Sequence, residues 1–275
     1  RCPARPSYLG LLRPMGGFQR GDPALKQPDA VTGQDLGAIH FNMTGGEPLL
    51  YEECFDLFAY ISEKKNSILS LATNGILLTS NVANRLKKVG LDVVQISLDS
   101  SDEKNHDRQR NFSGAYRGAI ESVNNAKKAG LTVFISTIVT GDNLLNGEMI
   151  KLAHMAKSAD AILHLNTACS SGRWGEKKFN FDNEVKSKLN LLLKLPHVRI
   201  NTEAAYFTMG CKAGLEKIYI TAYGDVTPCP FIQISFGNIK DKTIKQMWEE
   251  MRKVPYFNGK SKECLTSQNQ QFISE

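Results

Sequence analysis

Residues 39–50 read IHFNMTGGEPLL, a short apolar run followed at once by two glycines, an acidic residue and a proline. Helical patterns that end in glycine follow further along, for example over 81–89 and 115–129. Strand–helix alternation of this kind predicts βα units and an α/β fold with a parallel sheet. Six units are too few for a complete eightfold barrel, so an open sheet or a partial barrel remains. The other five apolar runs start near Ile68, Val93, Leu131, Ala161 and His197.

The composition is that of an ordinary globular protein. The chain has 275 residues, of which 41% are hydrophobic and 23% are charged, and these values exclude global disorder. No apolar run approaches the ~18 residues of a membrane-spanning helix, and the first residues lack the pattern of a secretory signal. The net charge of +6 is spread along the chain, so neither nucleic-acid binding nor membrane binding is indicated.

The two ends of the chain lack the strand–helix alternation of its middle part. Residues 1–36 hold five of the ten prolines, and we expect an irregular N-terminal segment there. The alternating domain is predicted over 37–204. Residues 205–275 form a second, small unit, with a hairpin around Gly224 followed by a helix. The apolar face of that helix comprises Ile244, Met247, Trp248 and Met251.

Polar and small residues follow the predicted strands, where parallel α/β folds bind their ligands. Any one of them is more often an ordinary turn residue, but their repetition at one edge favours a site. The Gly45-Gly46-Glu47-Pro48 segment stands out, because glycines let a ligand approach the backbone and a carboxylate can hold an ammonium group.

The cysteines are unevenly distributed, and three of the six lie in the last quarter. The spacing is Cys211-x12-Gly224-x4-Cys229, followed by Cys264. Clustered thiols without secretory evidence indicate a metal site, either zinc or an iron–sulfur cluster, rather than disulfides. Cys54 is predicted to be a core residue, and Cys169 a packed free cysteine rather than a substrate-facing one.

Several segments together resemble the radical S-adenosylmethionine (SAM) enzymes that carry a C-terminal SPASM or twitch domain. This resemblance implies a partial (β/α)6 TIM-like barrel, with SAM bound across its mouth on a 4Fe–4S cluster, and a small α+β subdomain with an auxiliary cluster. The number of cysteines favours the shorter twitch form. The segments are FNMTGGEPLL (41–50), ATNG (72–75), QISLDSSDEKNHDRQR (95–110), NTACSSGRWG (166–175) and GCKAGLEKIYITAYGDVTPCPFIQISFGNI (210–239).

The resemblance also implies roles for individual residues. Gly45, Gly46 and Glu47 match the segment that holds the SAM amino group. The remaining roles are lining of the SAM pocket by Thr73 and Asn74, ribose contact by Ser97 and Asp99, contact with the SAM carboxylate by Arg110, and auxiliary-cluster ligation by Cys211, Cys229 and Cys264.

The N-terminus departs from the family pattern. The family binds its SAM-cleaving cluster with a C-x3-C-x2-C motif roughly forty residues before GGEP. This chain offers Cys2, and if Cys2 is the middle thiolate, Arg5 occupies the third position. A guanidinium does not replace a thiolate on iron. Either the N-terminus is incomplete or altered, or the protein does not cleave SAM.

Three functions follow from these observations. The resemblance implies a cytoplasmic radical SAM oxidoreductase or maturase that cleaves SAM reductively to a 5′-deoxyadenosyl radical. It would modify a peptide or a cofactor precursor, with reduced flavodoxin or ferredoxin as the electron donor. The second function is a non-catalytic protein that keeps the SAM-like pocket and one iron–sulfur cluster. The third is an unrelated α/β enzyme with a zinc-stapled tail.

Overall fold

The computed structural model describes residues 8–13, 36–63, 67–168, 182–201, 210–259, 261–266 and 269–274. The strands are β1 (Tyr8–Arg13), β2 (His40–Gly45), β3 (Ile68–Thr73), β4 (Val93–Ser97), β5 (Thr132–Val139), β6 (Ile162–Thr167), β7 (Val198–Ile200), β8 (Lys217–Ile220) and β9 (Val226–Thr227). The α-helices are α1 (Glu53–Glu63), α2 (Ser80–Lys88), α3 (Glu103–Arg110), α4 (Ala115–Lys128), α5 (Gly141–Leu145), α6 (Glu148–Ser158), α7 (Asn183–Leu193), α8 (Ile244–Lys253) and α9 (Gln270–Ser274). The predicted α/β class is confirmed, because each of the six apolar runs forms a strand and helices separate them.

The chain divides into two compact units. Unit 1 comprises residues 1–72, 85–92 and 204–265, and unit 2 comprises residues 73–84, 93–203 and 266–275. Among the described residues, no helix combines the length and the apolar composition needed to cross a membrane.

In unit 1, the strands pair in the order β3-β2-β1-β8-β9. The pairs β3–β2, β2–β1 and β1–β8 are parallel, whereas β8 and β9 form the predicted antiparallel hairpin. Tyr8 is in register with His40 on one side and with Lys217 on the other. The C-terminal hairpin therefore extends the same sheet as β1.

The sequence predicts an irregular segment over 1–36, and this prediction is wrong for Tyr8–Arg13, which form strand β1. The run YLGLLR lies between Pro6 and Pro14. It is too short to show a period of its own, and the flanking prolines conceal it. Its backbone groups are satisfied by two neighbouring strands that lie far away in sequence.

In unit 2, β4, β5, β6 and β7 pair in this order, and all pairs are parallel. Helix α4 contacts β4 and β5, and α6 contacts β5 and β6. The helices bury one apolar face, as the pattern over 115–129 predicts, and Val123 and Ala126 of α4 are both buried. Gly114 is the N-cap of α4, and Asp107 accepts hydrogen bonds from the Gly114 and Tyr116 amides at the start of the helix.

Helix α8 provides the core of the C-terminal part of unit 1. The predicted apolar face is confirmed, since Ile244, Met247, Trp248 and Met251 are all buried. Thr243 and Gln246 form a capping box at the start of the helix. The Trp248 indole donates a hydrogen bond of 3.1 Å to the Leu215 carbonyl, which ties the helix to the segment just after Cys211.

Candidate functional site

The TGGEP segment forms the carboxyl end of β2 in unit 1. Gly45 and Gly46 are exposed, and a Cβ atom on Gly46 would have no described atom within 4 Å. Glu47 begins the 3-10 turn Pro48–Leu50, and its Oε1 accepts a hydrogen bond of 3.2 Å from the Leu49 amide. The backbone of Gly46 is therefore open to a ligand, as its predicted role requires.

Thr73 and Asn74 lie where β3 ends, in unit 2, and both side chains shape the turn that follows. The Gly75 amide donates to Thr73 Oγ1 at 3.1 Å, and the Ile76 amide donates to Asn74 Oδ1 at 2.9 Å. A turn role is thus visible for both residues. The predicted contact with SAM stays a prediction.

Asp99 and Arg110, two predicted site residues in unit 2, form an ion pair with each other. Arg110 Nη2 lies 2.6 Å from Asp99 Oδ2, and the Arg110 and Asp99 side chains are 32% and 13% exposed, respectively. The Asp99 amide donates to His106 Nδ1 at 3.1 Å. Burial lowers the pKa of His106, and the nearby Asp99 opposes this change, so the imidazole is neutral and accepts this hydrogen bond at neutral pH.

Asp99 has unused hydrogen-bonding capacity. Its Oδ1 is buried and has no hydrogen-bond partner among the described residues. A buried carboxylate oxygen without a donor is costly, and a ligand hydroxyl would satisfy it. This orphaned oxygen fits a sugar diol such as the ribose of SAM, the contact that the resemblance implies for Asp99.

Ser97 ends β4 on a polar face of unit 2 that extends across the neighbouring strands. Ser136 of β5 is in register with Ser97 and accepts a hydrogen bond of 2.8 Å from Asn166 of β6. The rings of Phe134 and His164 lie 5.7 Å apart on these same two strands. Sequence reasoning did not single out Ser136 or His164. Both residues alternate with buried apolar residues along their strands, and this alternation could have indicated that they share one polar face.

A second polar group that the sequence did not reveal lies in unit 1. His40 Nε2 is 2.8 Å from Ser70 Oγ, and Ser70 Oγ donates to Asn42 Oδ1 at 2.6 Å. Because the single hydroxyl proton goes to Asn42, the His40 ring donates from Nε2. Burial, followed by the charge of Lys217, lowers the pKa of His40 from 6.5 to about 4.

The three predicted cluster cysteines all lie in unit 1, on three separate segments. All three are free thiols and are partly exposed. Burial raises the pKa of Cys229 to about 11 and also raises the pKa of Cys211, and a further rise in each comes from Cys264 nearby. A charge on Cys264 opposes ionisation of Cys211 and of Cys229, as expected for thiols in one neighbourhood.

Backbone amides point at two of these sulfurs. The amides of Ala213 and Leu265 donate to Cys211, and the amide of Phe231 donates to Cys229; all of these hydrogen bonds favour the thiolate and oppose the rise in pKa. Such N–H···S hydrogen bonds are one of the protein's means of tuning an iron–sulfur cluster. The donor set therefore fits a cluster.

Among the described residues, no three His, Cys, Asp or Glu side chains are grouped closely enough to hold one metal ion. The three thiols of unit 1 therefore do not form a preformed site for a single ion.

The N-terminal residues do not provide the ligands that the family uses for its SAM-cleaving cluster. Cys2, Arg5 and Cys169 lie outside the described residues. Strand β1 reaches the edge that carries TGGEP at Arg13, and residues 3–53 contain no cysteine. One thiol stands where the family motif has three, so residues 1–53 do not match the donor set of a SAM-cleaving cluster.

Comparison with known families finds two domains. Residues 25–156 match the family model of the radical SAM superfamily, and residues 211–268 match that of an iron–sulfur cluster-binding domain. The chain therefore carries a radical SAM domain followed by an iron–sulfur cluster-binding domain. These two domains imply SAM and 4Fe–4S clusters as cofactors.

Similar proteins catalyse different reactions. The AdoMet-dependent heme synthase of Methanosarcina barkeri is 25% identical over an alignment of 237 positions, which covers 75% of this chain and 67% of that protein. The PqqA peptide cyclase of Rhizobium meliloti is 23% identical over an alignment of 246 positions, which covers 82% of this chain and 64% of that protein. The chain thus spans about two thirds of the length of these relatives.

Solved structures show the same fold. Streptococcus suis SuiB bound to S-adenosylmethionine matches with a TM-score of 0.71 at 17% identity, covering 93% of this chain and 68% of that chain. SuiB bound to its precursor peptide SuiA matches with a TM-score of 0.69 at 15% identity, covering 93% and 66%. At these identities the likeness concerns the fold alone, which is α/β of the partial TIM-barrel type.

Proposed function

We propose that this protein is a radical SAM enzyme that modifies a peptide substrate and holds an auxiliary 4Fe–4S cluster at Cys211, Cys229 and Cys264. The observation that carries the proposal is the set of three free thiols in unit 1, two of which accept backbone amide hydrogen bonds. Buried free cysteines that serve only as packing need no such donors. The donors favour thiolates, the form that binds iron.

The substrate class rests on the relatives. One of them is named as a peptide cyclase, and SuiB has been solved with a precursor peptide. Heme synthases, which are also similar, support a cofactor precursor as the second substrate class. The polar face at Ser136 and Asn166 offers hydroxyl and amide groups, which suit the backbone of a peptide.

The SAM-binding residues are assigned on the same basis. Glu47 would hold the ammonium of SAM, and Asp99 Oδ1 would accept a hydrogen bond from the ribose. Arg110, which orients Asp99 through their ion pair, would turn its other guanidinium nitrogens to the SAM carboxylate. A reduced SAM-cleaving cluster would supply the electron that cleaves SAM to a 5′-deoxyadenosyl radical, with flavodoxin or ferredoxin as the proposed electron donor. Residues 3–53 contain no thiolate that would hold this cluster.

One observation favours a second candidate function. Residues 3–53 contain no cysteine, although the chain passes from β1 to the TGGEP edge within this range. A protein with the auxiliary cluster and the SAM-type fold, but without the SAM-cleaving cluster, would bind its peptide without radical chemistry. Its specificity would then depend on the hydrogen bonds of its binding face alone.

Iron counting and product analysis distinguish the two functions. The full chain would be reconstituted without oxygen, and its iron and sulfide measured, for the wild type, Cys2→Ala, Cys229→Ala and Cys54→Ala. The enzyme is expected to hold two 4Fe–4S clusters and, with dithionite, to release 5′-deoxyadenosine from SAM. One cluster without 5′-deoxyadenosine would establish the second candidate instead.

The variants assign the clusters to their sites. Cys229→Ala should lose one cluster. Cys54→Ala is the matched control, because Cys54 is buried in α1 and burial raises the pKa of its thiol to about 12; it should keep all the iron. A Cys229→Ala protein with the iron content of the wild type would refute the auxiliary site.

A further inference from the structure

Helix α3 presents two side chains to Asp99 from one face. His106 and Arg110 lie four residues apart on this helix, and residues at this spacing are neighbours on a helix surface. Arg110 Nη2 lies 2.6 Å from the Asp99 carboxylate, and His106 Nδ1 accepts a hydrogen bond of 3.1 Å from the Asp99 amide. The helix therefore holds the side chain and the main chain of Asp99 at the same time.

His106 occupies a buried position that an apolar side chain could fill. The residue is 1% exposed, and its ring meets the edge of the Tyr116 ring, with 6.2 Å between the two centroids. Burying an imidazole costs free energy, which is why burial lowers the pKa of His106. The hydrogen bond from the Asp99 amide offsets this cost. A leucine of similar size would fill the space but leave the amide without its acceptor.

The residues after Asp99 are held by a different side chain. The Ser100 hydroxyl donates to Glu148 at 3.0 Å, and the Ser101 amide donates to the same carboxylate. Glu148 begins α6, and its side chain is 16% exposed. Glu148 thus fixes the two residues that follow Asp99, whereas His106 contacts Asp99 itself.

The contacts of Asp99 leave one of its carboxylate oxygens for a ligand. Oδ1 is buried without a hydrogen-bond partner among the described residues, while Oδ2 and the amide are both engaged. Because the main chain and the other oxygen are fixed, Oδ1 is held in one orientation. A group that is held in place before the ligand arrives loses less conformational entropy on binding.

We propose that His106 is a positioning residue for ligand binding: by accepting the hydrogen bond of the Asp99 amide, it holds Asp99 so that Oδ1 faces the ribose hydroxyls of SAM. The inference rests on the proposed function, because it requires that Asp99 contacts SAM. His106 acts only through Asp99. Its effect on SAM binding should therefore vanish when the Asp99 carboxylate is absent, and any acceptor at the place of Nδ1 should suffice.

Anaerobic isothermal titration of the reconstituted full chain with SAM tests the need for an acceptor. His106→Leu should weaken SAM binding about tenfold, because it leaves the buried Asp99 amide without a partner. His106→Asn has an oxygen at about the place of the imidazole Nδ1 and should stay within about threefold of the wild type. His154→Leu is the matched control, because His154 is an exposed histidine of the same unit; it should leave the affinity unchanged.

A double-variant cycle tests whether His106 acts through Asp99. Asp99→Ala should weaken SAM binding at least about tenfold, and adding His106→Leu should change the remaining affinity by less than about threefold, because both changes remove the same interaction. Losses that multiply would overturn the inference, since His106 would then act by another route. Full SAM affinity of Asp99→Ala would refute the ribose contact and the inference with it.

Hydrogen exchange of single amides, resolved by NMR, tests the positioning without SAM. The Asp99 amide should exchange at least about tenfold faster in His106→Leu than in the wild type, but within about threefold of the wild type in His106→Asn. The Ser101 amide, which donates to Glu148, should keep its protection in both variants. His106→Val, which also lacks an acceptor, replaces the Leu variant if that protein does not fold.

The two measurements separate the possible failures. If the wild type binds no SAM, the proposed function fails and the inference with it. If the wild type binds SAM but the Asp99 amide exchanges equally fast in the wild type and in His106→Leu, the inference fails alone. Equal SAM affinities of His106→Leu and His106→Asn would also overturn it, because the acceptor would then have no effect.

Discussion

The ion pair between Asp99 and Arg110 joins two residues to which the sequence assigned separate contacts with SAM. Arg110→Ala should weaken SAM binding by about 1.5–3 kcal/mol, the usual value of a hydrogen bond to a charged group. The loss would combine the missing contact to the SAM carboxylate with the freeing of Asp99, which Arg110 orients at 2.6 Å. Anaerobic isothermal titration with SAM measures it.

Arg108 provides the control for this prediction. It lies on the same helix, and its guanidinium donates to Asn105 at 2.6 Å on the exposed surface. Arg108→Ala should leave SAM affinity unchanged, and neither variant should alter the visible spectrum of the C-terminal cluster. Equal SAM affinity of Arg110→Ala and the wild type would remove Arg110 from the site.

A substitution at Gly46 is expected to weaken SAM binding while leaving the stability of the fold almost unchanged. A Cβ at this position would meet no described atom within 4 Å, and Gly46 is not among the glycines with positive φ. Gly46→Ala should therefore change the free energy of unfolding by less than about 0.5 kcal/mol. It should nevertheless weaken SAM binding at least tenfold, because the added methyl group occupies the space through which the ligand approaches the backbone.

Gly224→Ala should show the opposite behaviour. Gly224 has a φ of +89°, and a Cβ there would lie 2.8 Å from Asn238 Oδ1. The variant should lose about 1–3 kcal/mol of stability and keep its affinity for SAM. Urea unfolding and titration of both variants would check the pair, and unaltered SAM binding in Gly46→Ala would contradict the role assigned to TGGEP.

At the scale of elements, the polar link between β2 and β3 makes the stability of the protein depend on pH. The pKa of His40 is lowered from its ordinary value of 6.5 to about 4 in the folded protein, so the unfolded chain binds the proton more tightly. The contribution of His40 is present above about pH 6.5 and is lost as the pH falls through about 4. Its full size is up to roughly 3 kcal/mol.

Chemical unfolding at pH 7.0 and pH 4.5 measures this contribution. The loss of stability between the two pH values should be smaller in His40→Gln than in the wild type by about 1–3 kcal/mol. The exposed residue His154 supplies the control, because His154→Gln should retain the pH dependence of the wild type. If the three proteins lose stability equally, the buried network does not hold His40 neutral.

At the scale of the whole molecule, the cluster is expected to hold three segments of unit 1 together. Cys211, Cys229 and Cys264 are spread over more than fifty residues, and a small unit gains much of its stability from such a cross-link. Removing the iron with a chelator should lower the protection of backbone amides against hydrogen exchange over 210–259. The amides of β5 and β6, in unit 2, should keep their protection.

Mass spectrometry of the exchanged peptides before and after iron removal checks this prediction. Cys54→Ala, which lacks a thiol outside the cluster site, should respond to the chelator as the wild type does. A uniform loss of protection over both units would show that the iron stabilises the molecule as a whole rather than the C-terminal segment.

The sequence by itself determined the six apolar strands, the buried face of α8 and the hairpin at Gly224, because these depend on patterns within a few residues. It also placed the cysteines and the TGGEP segment. Only the tertiary structure decided that Tyr8–Arg13 is a strand between β2 and β8 and that Arg110 pairs with Asp99. The physical reason is that strand pairing and charge interactions join residues distant in sequence: Tyr8 pairs with Lys217 across most of the chain, and no local period records such a contact.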